Sequence, residues 1–428
     1  MLVSFIVKNF RSFASAQTIS LVAGAGAKRQ KRFSFPTGNS FAPNLLRSAC
    51  LFGPNGAGKS SLVLALDFYR DFIVSSAKDT QEGEKIDVPS FKFDKALKDE
   101  PSEFELTFIN KDVLYQYGFA VDTERVWSEW LFAKPSEAMT KMRTLFQREY
   151  DEQLEKYMWD INKTYVKGSK EVWKEATRDN ALFLSTAIQL KAETFKDPFD
   201  WIQKQLHVIE SPERISPAFT GKKCVEDGWK DRVLSLVQAA DINIKDIDVE
   251  SKLFDPNDIA ANIPDELRKE IQEAYDGKKM IQIKNSYHKG TDGSLVPIDF
   301  TDESDGSKVA FSIAGPWLDV LENGYTLIID ELHNSLHPLA LKFLVDLFHD
   351  PRLNVNNAQL IFTSHETSVM SKGFMHQDQI WLVEKDDIES TQLIPLSDYK
   401  VRDISAFQKA YLDGRYGAVP KLKEFING

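Results

Sequence analysis

Leu2–Phe10 alternates loosely between apolar and polar positions and is rich in β-branched and aromatic residues, which predicts an opening strand, with a second over Thr18–Val22. Residues 24–44, rich in Gly, Ser, Asn and Pro, read as a loop. The apolar run Ser48–Phe52 ends at a glycine-rich turn, as a buried strand does, and Leu62, Leu66, Tyr69 and Ile73 then fall at helical spacing. Strand patterns return at Phe104–Ile109, Leu114–Val121 and Trp127–Phe132, a meander with turns at 110–112 and 122–123, and a further strand is read around Phe91–Phe93.

From about Pro135 to Gly277 charged residues interleave with large apolar ones at helical spacing, as in Leu154, Tyr157, Met158 and Ile161, which predicts a mostly helical region with Trp159, Trp173, Trp201 and Trp229 in its core. Strands resume at Met280–Tyr287 and Leu295–Phe300. A helix from Gly306, a strand at Tyr325–Ile329, a helix over Pro338–His349, a strand at Gln359–Thr363 and a hairpin of Gln379–Val383 with Thr391–Pro395 follow. The pattern is that of an α/β fold interrupted by a mainly helical insertion, with segments 1–132, 133–279 and 280–428.

Composition narrows the function classes. The 428 residues suffice for two or three domains, and 42% hydrophobic with 27% charged residues is a globular balance. Lys8 and Arg11 interrupt any leader-like apolar core, and no apolar run is long enough to span a membrane. Cys50 and Cys224 stand far apart, which speaks for a reducing, cytoplasmic setting and against a cysteine zinc site. The net charge of −11 disfavours a protein that coats nucleic acid. The basic run Lys28-Arg29-Gln30-Lys31-Arg32 reads as a solvated loop face, with a nucleic-acid or partner contact as the other reading.

The chemistry is concentrated in three places. Gly53-Pro54-Asn55-Gly56-Ala57-Gly58-Lys59-Ser60 lies between a buried strand and a helix, the setting in which loop N–H groups and a helix N-terminus cradle phosphates. Lys59 would neutralise β/γ oxygens and Ser60 would ligate Mg²⁺, so ATP and Mg²⁺ are expected. Gly53, Asn55, Gly56, Gly58 and Ser61 complete the nucleotide set. The strand 326–329 ends in Asp330-Glu331: Asp330 can hold Mg²⁺ through water where its strand emerges beside the P-loop, and Glu331 can accept a proton from the attacking water. His365, after the strand at 359–363, is placed to contact the γ-phosphate. His333 and His337 have i,i+4 spacing, but Pro338 follows at once and no third ligand is evident, so a metal site is rejected.

These residues resemble the ABC-type ATPase superfamily, in particular its RecF/SMC/OLD-like branch. Lys8-Asn9-Phe10-Arg11-Ser12-Phe13 is similar to that branch's opening, which adds Arg11 to the nucleotide set. Ser304-Asp305-Gly306-Ser307 resembles a divergent signature, Glu331–Pro338 the extended Walker B and D-loop, and His365 the switch histidine. Ala181–Ser185 also resembles a segment of such proteins. The layout is most similar to the AAA15-type (AAA-21 domain) ATPases of prokaryotic anti-phage and abortive-infection systems, including PARIS- and retron-associated pairs.

The resemblance implies an ABC-type P-loop ATPase fold built from 1–132 and 280–428, and an ATP-sandwiched homodimer or higher homo-oligomer in which Ser304 and Gly306 of one protomer contact the γ-phosphate on the other. It implies ATP hydrolysis by a switch subunit acting on a separate toxin or nuclease, since only 63 residues follow His365 and Asp386 and Asp387 among them read as a hairpin turn. The alternative is a RecF/SMC-like DNA-repair or recombination ATPase, with nucleic acid as partner; a membrane transporter subunit fits poorly. Two departures point to slow turnover: Gln81 is the only Q-loop candidate, and Asp305 stands where many relatives have glycine.

Overall fold

The computed structural model describes residues 1–136, 141–226, 228–258, 263–371, 373–399 and 407–419. The strands are β1 (Leu2–Lys8), β2 (Gln17–Ser20), β3 (Ser34–Pro36), β4 (Asn44–Leu46), β5 (Ser48–Phe52), β6 (Ser102–Asn110), β7 (Val113–Val121), β8 (Val126–Pro135), β9 (Arg143–Asp151), β10 (Lys156–Ile161), β11 (Leu206–Ile209), β12 (Asp246–Leu253), β13 (Lys279–Lys289), β14 (Leu295–Asp299), β15 (Thr326–Ile329), β16 (Gln359–Thr363), β17 (Ile380–Lys385) and β18 (Thr391–Pro395). The helices are α1 (Lys59–Ser75), α2 (Lys170–Ala176), α3 (Phe183–Gln189), α4 (Lys196–Gln205), α5 (Pro217–Cys224), α6 (Trp229–Ala239), α7 (Asp265–Tyr275), α8 (Asp305–Asn323), α9 (Pro338–His349) and α10 (Phe407–Leu412). The α/β expectation is met. By contact the chain divides into one unit of residues 1–211, 320–333 and 345–428, and a second of residues 212–319 and 334–344.

The first unit holds two large sheets. One has the order β10-β9-β8-β7-β6-β1-β2, antiparallel throughout. The other has the order β11-β15-β16-β5-β17-β18, parallel except for its last hairpin. Its three central strands are buried along their whole length, which is why they read as continuous apolar runs rather than alternating ones. A single hydrophobic cluster joins α1 to both sheets. On the antiparallel side Tyr69 stacks on Phe119 with ring centroids 5.4 Å apart, and its hydroxyl donates to Tyr117 O at 3.0 Å.

Within 135–277 the helical reading gives way to strands at β9, β10, β11 and β12. In β10 burial alternates residue by residue, so Tyr157 and Ile161 point inward while Met158 is 50% exposed, as is Leu154 at 55% in the preceding turn. Two of the four apolar residues that suggested a helix therefore face solvent. Residues Phe91–Phe93 form no strand. Phe91 is instead a buried anchor whose N–H donates to Asn9 Oδ1 at 3.1 Å. Trp173, Trp201 and Trp229 are buried as expected, while Trp159 packs partly exposed against Phe183.

A buried charge pair fixes how 178–189 meets the antiparallel sheet. Arg148 Nε donates to Glu129 Oε2 at 2.9 Å, and both side chains are inaccessible to solvent. Glu129 also accepts from the Tyr117 hydroxyl and from the N–H groups of Phe183 and Leu184, so one carboxylate caps the start of α3. Arg148 donates onward to Ala181 O, and its guanidinium faces the rings of Tyr157 and Trp159. This is the structural content of Ala181–Ser185.

The second unit contains α5, α6, α7 and the sheet β12-β13-β14. Pro316 inside α8 has no N–H to give Ser312 O. Thr220 Oγ1 donates to that carbonyl instead, at 2.9 Å, and accepts from Gly315 N at 3.1 Å.

Replacing Glu129 by Ala strands a buried guanidinium and should cost about 3–5 kcal/mol in chemical denaturation. The double variant Glu129→Leu/Arg148→Met should recover part of that loss. Equal stability of Glu129→Ala and wild type would refute the account.

Candidate nucleotide site

The P-loop joins β5 to α1, and two of its glycines are dictated by close neighbours. At Gly53 a side chain would collide with Val383 O of β17. Gly58 has φ of +104°, and a Cβ there would run into Thr391 Oγ1 and lie 2.6 Å from Ser12 Oγ. Thr391 Oγ1 sits 2.8 Å from both Ala57 O and Ser12 Oγ, while Thr391 N donates to Ser12 O at 2.7 Å. The opening segment is thus clamped onto the loop through Ser12. Its neighbour Arg11 is exposed, with φ of +49° and its N–H on Pro89 O.

Helix α1 begins without a side-chain cap and without an acidic residue in its first turn. Its first N–H groups therefore have no side-chain acceptor, and together with the helix dipole they suit an anion. Ser60 is exposed at this end, Ser61 is half-buried, and Asn55 and Gly56 lie on the open face of the loop. Lys59 is buried, with Nζ 2.7 Å from Gly53 O and 3.1 Å from Pro54 O. Burial lowers its pKa from the ordinary lysine value, and the carboxylates of Asp330 and Glu331 act in the opposite direction.

The strand end at 330–331 thus acts electrostatically on the P-loop lysine, although β16 lies between β15 and β5. Asp330 therefore does not emerge from the strand next to the loop, as the sequence suggested, but one strand further on. Thr363, ending β16, bridges the gap. Its hydroxyl donates to Asp330 Oδ1 and accepts from Glu331 N at 2.8 Å. Glu331 N also lies 3.1 Å from Asp330 Oδ1, and Glu331 has φ of +49°, a strained conformation of the kind found at working sites. Thr363 was missed in the sequence; its only signal was its place just before Ser364-His365.

His365 is exposed, and the ring of His333 lies against it, centroids 3.8 Å apart and planes at 65°. Burial, then the neighbouring His365, lowers the pKa of His333 to about 4, so its imidazole is neutral near pH 7.

The residues fit a magnesium ion as well as a phosphate. Both described hydrogen bonds to the Asp330 side chain use Oδ1, which leaves Oδ2 for a cation, with the exposed Ser60 hydroxyl as second ligand. The described residues contain no cluster of three or more His, Cys, Asp or Glu able to hold a metal by themselves. A site of few protein ligands, completed by substrate phosphates and water, is the kind Mg²⁺ takes.

Other sequence candidates fall elsewhere. Ser304 and Gly306 belong to the second unit. There Ser304 Oγ accepts from Ser307 N at 3.2 Å and so caps α8, while a side chain at Gly306 would press on Ser335 O at 3.2 Å. With Ser335, His337 and Asp241 these residues line a cavity of about 560 Å³. His337 Nδ1 accepts from Leu339 N at 3.2 Å, a capping role at the start of α9. Gln81 lies past the far end of α1, roughly 25 Å along the helix from Lys59 at 1.5 Å per residue, too far to serve the phosphates. Of the basic run, Arg32 is paired with Asp346 at 2.6 Å. Cys50 and Cys224 are both buried and free.

A family profile described as "AAA domain, putative AbiEii toxin, Type IV TA system" matches residues 48–371, a span that runs from β5 and the P-loop past His365. The chain belongs to this AAA_21 family. No curated protein matches the sequence. Among solved structures, the SMC head domain from Thermotoga maritima is similar at 13% identity, with 92% of this chain and 98% of that chain covered and a TM-score of 0.40. The recombination mediator protein RecF with ATP is similar at 12% identity, with 92% and 97% covered and a TM-score of 0.31. Among the described residues of this AAA_21 protein, no helix is long and apolar enough to cross a membrane.

Gly58→Ala should lower the melting temperature through its left-handed backbone and its collision with Thr391, a cost of about 1–3 kcal/mol. Adding Thr391→Ala should return part of it. A Gly58→Ala protein that melts like wild type would show the clamp to be slack.

Proposed function

We propose that this AAA_21 protein binds and hydrolyses ATP, and that ATP governs a dimer whose state controls a separate toxin or nuclease in anti-phage defence. The observation that carries the nucleotide reading is the convergence of buried Lys59 with Asp330 and Glu331 at the ends of two parallel strands, β5 and β15, that β16 separates. In this reading the uncapped start of α1 and Lys59 bind the phosphates, with Gly53, Asn55, Gly56, Gly58 and Ser61 shaping the loop and Arg11 beside it. Ser60 and Asp330 hold Mg²⁺, which supplies charge neutralisation between phosphate oxygens. Glu331 takes the proton of the attacking water, and Thr363 fixes the backbone from which it projects. His365 contacts the γ-phosphate from the end of β16.

The dimer reading rests on the signature. Ser304 and Gly306, at the N-terminus of α8, would offer N–H donors to the phosphate held by a second protomer. The effector reading rests on the family description, which names a toxin–antitoxin system.

Lys59→Ala should abolish ATP binding measured with a fluorescent ATP analogue, and Glu331→Gln should bind ATP, hydrolyse it at least about 100-fold more slowly and accumulate as a dimer in light scattering. Normal hydrolysis by Glu331→Gln would sink the base assignment, and a monomer with ATP bound would sink the switch. Pull-down from native extract should recover a toxin-like or nuclease partner. ATPase activity stimulated by DNA with no protein partner would overturn the defence role in favour of a DNA-repair ATPase.

A further inference from the structure

His333 is the anomaly of the site. Both of its ring nitrogens are shielded from solvent and neither has a hydrogen-bond partner. A neutral imidazole carries one donor and one acceptor, and leaving both unmade in a buried position lowers stability. The edge-to-face contact with His365 does not explain the choice, because phenylalanine would fill the same space without orphaned polar atoms.

The surroundings say what those atoms are for. The charged or titratable groups acting on His333 are His365, Glu331, Lys59 and Glu366, which belong to the ends of β16 and β15, the start of α1 and the turn after β16. These are the elements that surround the terminal phosphate in the reading above. Lys59 and its helix draw in a phosphate, whose oxygens are acceptors. His365 supplies a ring N–H close by. An oxygen on one side and an N–H on the other is the complement of a neutral imidazole.

We propose that His333 is a further nucleotide-contacting residue: one ring nitrogen donates to an oxygen of the terminal phosphate, and the other accepts the N–H of His365. The two imidazoles then form a couple that is complete only with a nucleoside triphosphate in place. The diphosphate leaves the donor of His333 without its acceptor. Orientation of His365 thereby depends on the γ-phosphate through His333 as well as by direct contact. This inference rests on the nucleotide-site reading, and its test separates the two.

The experiment uses the full chain with Mg²⁺ and a fluorescent ATP analogue for binding, beside steady-state hydrolysis and thermal melting. His333→Phe should melt no lower than wild type and bind the analogue within roughly threefold of wild type, with kcat reduced on the order of tenfold or more. His333→Gln, which keeps one donor and one acceptor, should regain part of that kcat. In Glu331→Gln protein carrying isotope-labelled histidine, the His333 ring signals should shift with ATP and not with ADP. Wild-type kcat in His333→Phe, a Gln variant no better than Phe, or His333 signals that ignore bound ATP would each overturn the proposal while leaving the nucleotide site standing. Failure of the wild-type protein to bind the analogue would overturn both.

Discussion

The ammonium of Lys59 is buried against two carbonyls of its own loop, with the carboxylates of Asp330 and Glu331 acting in favour of its charged form and against the effect of burial. An ammonium withdrawn from water is costly unless oxygens surround it, and here they come from two separate parts of the chain. Much of the first unit serves to bring them there. The strand order places β16 between the P-loop strand and the Asp330 strand, and Thr363 spans the difference. Gly58 gives the loop its left-handed turn, and Thr391 and Ser12 close over it. A phosphate arriving at the start of α1 would offer Lys59 better acceptors than the Gly53 and Pro54 carbonyls. The lysine is thus held by contacts weaker than those a phosphate would provide.

Helix α1 ties this loop to the antiparallel sheet. Its start is where a phosphate would bind. Beyond its last turn, Arg178 Nη2 reaches the Ser76 and Ala77 carbonyls at 3.1 and 3.3 Å and the Thr80 hydroxyl, satisfying acceptors that a helix end leaves open. Ser185 donates to Ile73 O, and Leu182 N donates to Ser76 Oγ. The same stretch is fixed from its other side by Glu129 and Arg148. Residues 178–185 therefore clasp the far end of the helix whose near end would hold phosphate, and buried polar bonds, not surface contacts, set that joint.

What could be read from the sequence follows from how local each feature is. The P-loop, the Asp330-Glu331 strand end and the helix starting at Pro338 are fixed by consecutive residues whose chemistry is tied to their spacing, and they appear where expected. The β9–β10 hairpin was misread because Leu154 and Met158 are apolar yet exposed, so they completed a helical period that the strand does not use. Thr363 escaped notice because its role depends on strand order, which no local pattern encodes. The Glu129–Arg148 pair was illegible for the same reason: charged residues 19 positions apart normally read as surface. His333 was weighed as a metal ligand with His337. The structure gives His337 a capping role and His333 a contact with His365.

The signature carries a tension that bears on rate. Ser304 Oγ accepts from Ser307 N and so satisfies one of the N–H groups at the start of α8 that a partner's phosphate would need. Asp305 places a carboxylate in the same first turn, which stabilises the free helix and repels an incoming anion. Engagement of a phosphate by this helix would therefore displace a cap worth about 1 kcal/mol and work against a resident negative charge. Glycine at 305 would remove the second cost. Under the dimer reading the closed state is thus opposed from the signature side. Its population then depends on what the P-loop side contributes, which is the behaviour of a switch that closes only when a triphosphate is fully bound.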